Sequence, residues 1–138
     1  MAQQPIEMIL LRLWASYIAV PMWITDSDGN LVFYNEPAEA LVGRRFDEAG
    51  EIKAADLASV FVTSDLNDEP LPVTEIPTWV ALTDRIPAHR KLRFRAFDGS
   101  WRNIELSALP IEGQGGRLLG SLSAFWEIEK EIEKEIEK

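Results

Sequence analysis

Residues 24–43 read I-T-D-S-D-G-N-L-V-F-Y-N-E-P-A-E-A-L-V-G, and this stretch decides the fold. It begins, together with Met22 and Trp23, as a short apolar extended run. Asp26-Ser27-Asp28-Gly29 is a turn signal, because aspartate tolerates turn backbone angles and glycine reaches positive φ without steric cost. Residues 31–34 resume with β-branched and aromatic side chains, so the two runs are predicted to pair as a hairpin. Asn35 can accept a backbone N–H as an N-cap, and Pro37 falls in the first helical turn, where a missing N–H costs little. Ala38, Ala40, Leu41 and Val42 continue a short helix that Gly43 can stop.

Outward from that stretch, Arg44-Arg45-Phe46 is read as the start of a loop with Phe46 in the core. Residues 54–61 read as a short helix with Leu57, Val60 and Phe61 turned inward. Residues 65–69 carry oxygen ligands but lack the central glycine and closing glutamate of a calcium loop, so no metal site is expected. Thr74 reads as the N-cap of a further helix, with Pro77 in its first turn and Ile76, Trp79, Val80 and Thr83 on one face. Residues 91–97 alternate, with Leu92, Phe94 and Ala96 facing one way and Lys91, Arg93 and Arg95 the other. Asp98-Gly99 makes the next turn, and residues 101–109 form a strand with Ile104, Leu106 and Ala108 on one face. Gly113-Gln114-Gly115-Gly116 joins two strands and opens no helix, which argues against a phosphate cradle. Residues 118–126 are the last strand. Five hairpin-linked strands predict an α+β domain: one five-stranded antiparallel sheet with short helices on one face.

Residues 24–43 resemble the opening of a PAS domain, a sensor module common in signalling proteins. D-L-N-D-E-P-L-P-V-T-E-I-P-T-W-V-A-L, then F-D-G-S-W-R-N-I-E-L-S-A-L-P-I, then G-R-L-L-G-S-L-S-A-F-W-E-I follow the family's later order of helix and three strands. The resemblance covers residues 21–128. It implies that the last strand lies centrally, beside the first, and that the helix after Thr74 walls a ligand cavity. It also implies an output domain, attached or as a partner.

The 138 residues suit one domain with a real core. A composition of 46% hydrophobic and 27% charged residues is that of an ordinary globular protein. The formal charge of −9 argues against nucleic acid or an anionic membrane surface as partner. There is no cysteine, which excludes disulfides, thiolate catalysis and cysteine-ligated metal sites. The apolar run 8–20 is shorter than a membrane span of roughly 20 residues, and it lacks the basic start of a secretory signal. A cytoplasmic protein is the expectation.

The two ends are read as helices. Ile6, Leu10, Leu13 and Tyr17 recur at spacings of four and three, and Leu11, Trp14 and Ile18 make a second stripe. One stripe can cover the domain's own sheet, and two leave apolar surface for a second chain. Residues 1–19 are therefore expected to form a dimerisation helix, with Ile6, Leu10, Leu13, Trp14 and Tyr17 at a homodimer interface; a single broad face packed on its own domain is the alternative. Residues 20–127 form the core. Residues 128–138 continue an E-I-E-K repeat that begins at Glu127, with i,i+3 Glu–Lys pairs that favour a helical tail and a regularity that looks engineered. PAS relatives often end in Asp-Ile-Thr at this place, where Glu127-Ile128-Glu129 stands here. Glu127 is paired speculatively with Arg102.

No catalytic pattern surrounds His89, the one histidine, so no enzyme is expected. Light-sensing PAS relatives use a cysteine for their flavin, which this chain lacks. Haem-binding relatives use an axial histidine in the helix that residues 74–83 supply here, and that helix has none. The cofactor stays unknown, with a small apolar ligand as the open option. Large inward side chains make the candidate pocket: Trp23, Phe33, Phe61, Ile76, Trp79, Val80, Phe94, Leu106 and Phe125. Two functions follow as expectations. One is a regulatory sensor that relays ligand or partner binding through its flanking helices; the other is a ligand-free structural dimerisation module. An internal cavity of roughly 300 Å³ or more separates them.

Overall fold

The opening hairpin forms where its residues direct it, in a computed structural model that describes residues 5–128. Strand β1 (Met22–Asp26) pairs antiparallel with β2 (Leu31–Tyr34), with Trp23 opposite Tyr34 and Ile24 opposite Phe33. Asp26 closes the turn. One carboxylate oxygen accepts the backbone N–H groups of Asp28 and Asn30 at 3.0 and 2.9 Å, and the other accepts the Asn30 side-chain amide. Gly29 takes the positive φ of 88° that the turn requires. Helix α2 (Glu36–Val42) follows, capped by Asn35 through the Ala38 N–H and stopped by Gly43 in the left-handed region.

Past α2 the loop read at Arg44-Arg45-Phe46 tightens into a one-turn helix, α3 (Phe46–Ala49), and Phe46 packs edge-on against Phe33 and Tyr34. Helix α4 (Ala54–Val60) leads to a two-residue strand, β3 (Thr63–Ser64). Helix α5 (Pro77–Asp84) is preceded by a 3-10 turn at Val73–Glu75. That turn corrects the cap assignment. Thr74 lies within it, and Ile76, with extended backbone and no side-chain bond, is the residue before α5. Strands β4 (Ala88–Arg95), β5 (Trp101–Glu112) and β6 (Leu118–Glu127) complete the described chain. Residues 129–138, and with them most of the E-I-E-K tail, lie outside the described residues, as do residues 1–4.

The strands make one antiparallel sheet in the order β2-β1-β6-β5-β4-β3. Six strands replace the predicted five. β3 escapes periodicity because two residues cannot show alternation; it exists by pairing Thr63 and Ser64 with Phe94 and Arg93 of β4. The last strand is central beside the first, as the resemblance implied. β1 and β6 approach closely: a Cβ built on Gly120 would lie 2.0 Å from the Thr25 carbonyl oxygen, so only glycine fits there.

The two faces of the sheet carry separate cores. On one, α2 to α5 and their loops pack with Leu31, Tyr34, Leu92, Phe94, Ile104, Leu106 and Phe125. On the other, helix α1 (Ile6–Ala15) buries Met8 and Ala15 with Ile24, Val32 and Leu119. The outer face of the far strands is polar. On it Arg93 reaches Asp68 and, at 2.8 Å, Asn103; on the inner face, in step with Phe94, Ile104 and Leu106, Arg90 reaches Glu75 at 3.1 Å and Arg102 lies 3.2 Å from Glu127, the pair expected from sequence. Such exposed pairs contribute little to stability.

Candidate functional site

Three structural layers enclose a cavity of about 320 Å³. Its floor is the inner sheet face, because inward residues recur at every second position: Trp23 on β1, Leu31 on β2, Leu92 and Phe94 on β4, Ile104 and Leu106 on β5, Phe125 on β6. One wall is α4 with Leu57 and Ala58, continued by Phe61. The other is α5 and the turn before it, with Ile76, Trp79 and Leu82. Trp79 and Val73 line the cavity and are also exposed, which puts its edge at the surface beside them.

The walls are held by aromatic contacts and a few polar ties. The Trp23 ring lies 5.4 Å from Phe125 and 5.9 Å from Phe61, and Phe61 meets Phe94 and Phe97 edge-on. Such tilted and edge-on pairs fix ring orientation. Thr78 of α5 hydrogen-bonds Ser123 of β6 at 2.8 Å, and Thr25 bonds Ser121 at 2.7 Å. The lining holds no charged side chain, and its polar groups are the indoles of Trp23 and Trp79 and three threonines, Thr25, Thr63 and Thr78. The Trp23 indole N–H is buried and has no hydrogen-bond partner.

Of the nine pocket residues expected from sequence, Trp23, Phe61, Ile76, Trp79, Phe94, Leu106 and Phe125 line this cavity; Phe33 and Val80 do not. Phe33 stands opposite Ile24 and shares its face, the one α1 covers, where the Arg12 guanidinium sits 4.7 Å from its ring centre. Large and apolar is therefore no guarantee of facing the cavity when both sheet faces are covered. Val80 fails for a different reason. Ile76 is not helical, so a spacing of four from it does not set Val80 on the same face. Sequence reasoning left out Leu31, Leu71 and Leu82. Leu31 carries a usable signal, since it opposes Thr25 across the hairpin from the Trp23 strand. Leu71 sits in a loop without periodicity and Leu82 on the second turn of α5, so neither carries one.

The residues present do not fit a haem held by an axial histidine. His89 is on the outer sheet face, half exposed, with its Nε2 2.5 Å from the Glu105 carboxylate. Among the described residues no group of three or more histidine, cysteine or acidic side chains could hold a metal ion, and no helix is long and apolar enough to cross a membrane. The candidate interface residues all lie outward. Ile6, Leu10, Leu13, Trp14 and Tyr17 are between 47% and 83% exposed, while Met8 and Ala15 take the face that packs on the sheet. Helix α1 thus packs on the sheet through Met8 and Ala15, which belong to neither stripe, with Leu11 of the second stripe beside them.

No protein-family model matches the chain, and no curated protein does. Solved structures match it over most of its length. The PAS domain of BvgS from Bordetella pertussis is 16% identical, with 95% of this chain and 93% of that one covered and a TM-score of 0.61. The PAS domain of nitrogen regulation protein NR(II) from Vibrio parahaemolyticus is 19% identical, with 86% and 98% covered and a TM-score of 0.61. A LOV protein from Rhodobacter sphaeroides is 13% identical, with 91% and 70% covered and a TM-score of 0.69. The strand order with the last strand beside the first, the short helices over one sheet face and these likenesses together establish that the chain has the PAS fold.

Proposed function

We propose that this chain is a sensor domain of a signalling protein: occupancy of the central cavity biases the arrangement of its flanking segments, and two copies pair through the outward face of α1. The observation that carries this reading is the cavity, about 320 Å³ of space under an apolar roof. A domain that served only to hold two chains together would be more stable with that space filled, since empty core volume costs stability. One of the similar structures belongs to a nitrogen regulation protein, which agrees with a regulatory role.

The described contacts supply a route outward in both directions. The cavity wall α5 is tied to β6 through Thr78 and Ser123, and β6 runs to Glu127 at the start of the tail. On the other side Trp23 lies on β1, whose first residue, Met22, is bonded to Asn35, and Asn35 also holds the carbonyl of Ala15 at the end of α1. A ligand that favours one position of α5 or β1 shifts both flanks by its difference in affinity between the two arrangements. The dimer rests on the outward stripe of α1. Trp14 of α1 at 65% exposure and Tyr17, in the turn just after it, at 83% are apolar surface that a second copy would cover.

Native mass spectrometry of the freshly purified chain at several concentrations tests both parts. A dimer carrying added non-protein mass is the expected result. A monomer at every concentration, with no added mass, overturns the reading. A dimer that never carries added mass, even after incubation with small apolar compounds, favours the ligand-free structural module instead.

A further inference from the structure

We infer that the cavity selects its ligand by size and by absence of charge, not by hydrogen bonding, and that it takes an uncharged, hydrocarbon-like molecule of about two aromatic rings, admitted between α4 and α5. The inference rests on the reading of the cavity as a ligand site and specifies its chemistry. The state of the polar groups in the lining, the volume and the place of the opening carry it.

The lining contains no lysine, arginine, histidine, aspartate or glutamate. An ionised ligand group enclosed there would lose its hydration with nothing of opposite charge to replace it, a large penalty. The polar side chains of the lining do not call for a polar ligand either. The hydroxyls of Thr25 and Thr78 are each paired with a serine of β6, at 2.7 and 2.8 Å. The Trp23 indole nitrogen is buried out of contact with the free space, so no ligand atom meets it without the ring moving. Thr63 stands half-buried on the edge strand β3, and Trp79 is 38% exposed, so neither donor is sealed from water. A donor that water already serves gives little net return to a ligand acceptor, because one hydrogen bond is exchanged for another. Affinity therefore follows the apolar area that the ligand buries.

The volume sets the size. At about 320 Å³ the cavity has about twice the volume of one that holds a single benzene, ~150 Å³. A single ring leaves space that no atom fills and forfeits contacts on its open side. Three rings exceed the space, and the floor cannot yield to them: Leu92, Ile104, Leu106 and Phe125 are each no more than 3% exposed and close-packed on the sheet. The opening lies between the two helical walls. Ala58 of α4, Val73 in the turn before α5 and Trp79 of α5 line the cavity and are themselves exposed. An alanine, a valine and an indole offer no charge there to draw an ionic ligand in.

Probes built on one central carbon separate these terms on the full chain. Benzyl alcohol, diphenylmethanol and triphenylmethanol add one ring at a time, diphenylmethane lacks the hydroxyl, and diphenylacetate and diphenylmethylammonium carry a charge of either sign. Affinities come from titration calorimetry, and the methyl NMR signals of Leu92, Ile104 and Leu106 report whether a probe sits in the cavity. Diphenylmethanol is expected to bind at least about tenfold more tightly than benzyl alcohol, from its added apolar area. Triphenylmethanol is expected to bind at least about tenfold more weakly than diphenylmethanol, although it is the more apolar of the two. Diphenylmethane should bind at least as tightly as diphenylmethanol, and both ions at least about tenfold more weakly. Leu106→Trp, which fills the space from the floor, should weaken diphenylmethane at least about tenfold. Should that variant not fold, the probe ratios and methyl shifts in the parent chain decide the matter alone. Triphenylmethanol as tight as diphenylmethanol overturns selection by size, either ion as tight as diphenylmethane overturns the uncharged class, and diphenylmethanol tighter than diphenylmethane overturns selection without hydrogen bonding; each leaves the cavity reading standing. Failure of every probe to bind, or saturation that leaves the three methyl signals unmoved, overturns the cavity reading itself, and this inference with it.

Discussion

Asn35 and Trp23 sit at the same end of one hairpin and are buried in opposite ways. Asn35 is 1% exposed, and its amide is saturated. Its Nδ2 donates to the carbonyls of Ala15 and Val20 at 2.9 Å each and to Ile18 at 3.4 Å, while its Oδ1 accepts the N–H groups of Met22 at 3.0 Å and Ala38 at 3.2 Å. One side chain thereby fastens the end of α1, the start of β1 and the first turn of α2. The Trp23 indole has no partner at all. The first arrangement is a fixed joint and the second is a buried donor left unpaired. The difference teaches where the domain tolerates change: at the cavity wall and not at the junction.

Breaking the joint should have the largest effect. Asn35→Asp replaces a donor facing three carbonyls with an acceptor that can carry charge. The expected loss is about 3 kcal/mol or more, read by urea unfolding at neutral pH. A loss under about 1 kcal/mol would mean the junction adapts, and the contrast with Trp23 would fail.

The next effect compares packing on the two sheet faces. Met8 is 3% exposed within the close-packed α1 core, whereas Leu71 borders the cavity. Met8→Ala should cost about 2–3 kcal/mol, in the usual range for a truncated core side chain. Leu71→Ala should cost about 1 kcal/mol, because a side chain with empty space on one side has fewer contacts to lose. Paired unfolding curves check this. Equal losses would say that the cavity wall is packed as tightly as the rest, which a ligand-accepting site is not.

The same contrast explains how much was legible in the sequence. Where local chemistry decides, the sequence was sufficient. Asp26 and Gly29 make the hairpin turn, Asn35 and Gly43 bound α2, and the alternation through Leu92 and Phe94 sets the inward face of β4. Where a tertiary partner decides, it was not. β3 exists only because β4 lies beside it, and Ile76 loses its helical geometry to a 3-10 turn that Thr74 enters. Phe33 and Trp23 are both large apolar residues of the same hairpin, and only register separates the α1 face from the cavity face. The Asn35 amide was legible as a cap. Its three bonds to the carbonyls of Ala15, Ile18 and Val20 were not, because they join residues brought together only by the folded chain.

The smallest effect concerns a donor that faces Trp23 directly. Tyr34 stands opposite Trp23 in the hairpin register, is equally an aromatic with one O–H or N–H to place, and has placed it: its hydroxyl donates to the Arg44 carbonyl at 2.8 Å. Burial, with a lesser push from the Glu39 carboxylate, raises its pKa to about 12 from the ordinary 10.0. The raised value means that the folded chain keeps its phenol proton after the unfolded chain begins to lose it. Below pH 10 the group gives no pH dependence, and between about pH 10 and 12 stability falls as pH rises, because the unfolded state ionises first. Tyr34→Phe should cost about 1 kcal/mol at pH 8, the net worth of one buried hydrogen bond together with its unpaired carbonyl. Its alkaline decline should be shallower than the parent's, so the gap between the two proteins narrows when unfolding is measured at pH 11. If the gap instead stays constant from pH 8 to 11, the phenol is not held in the buried, proton-retaining environment that its bond to Arg44 describes. The intended distinction between a satisfied donor on β2 and an unsatisfied one on β1 would then have to rest on Trp23 alone.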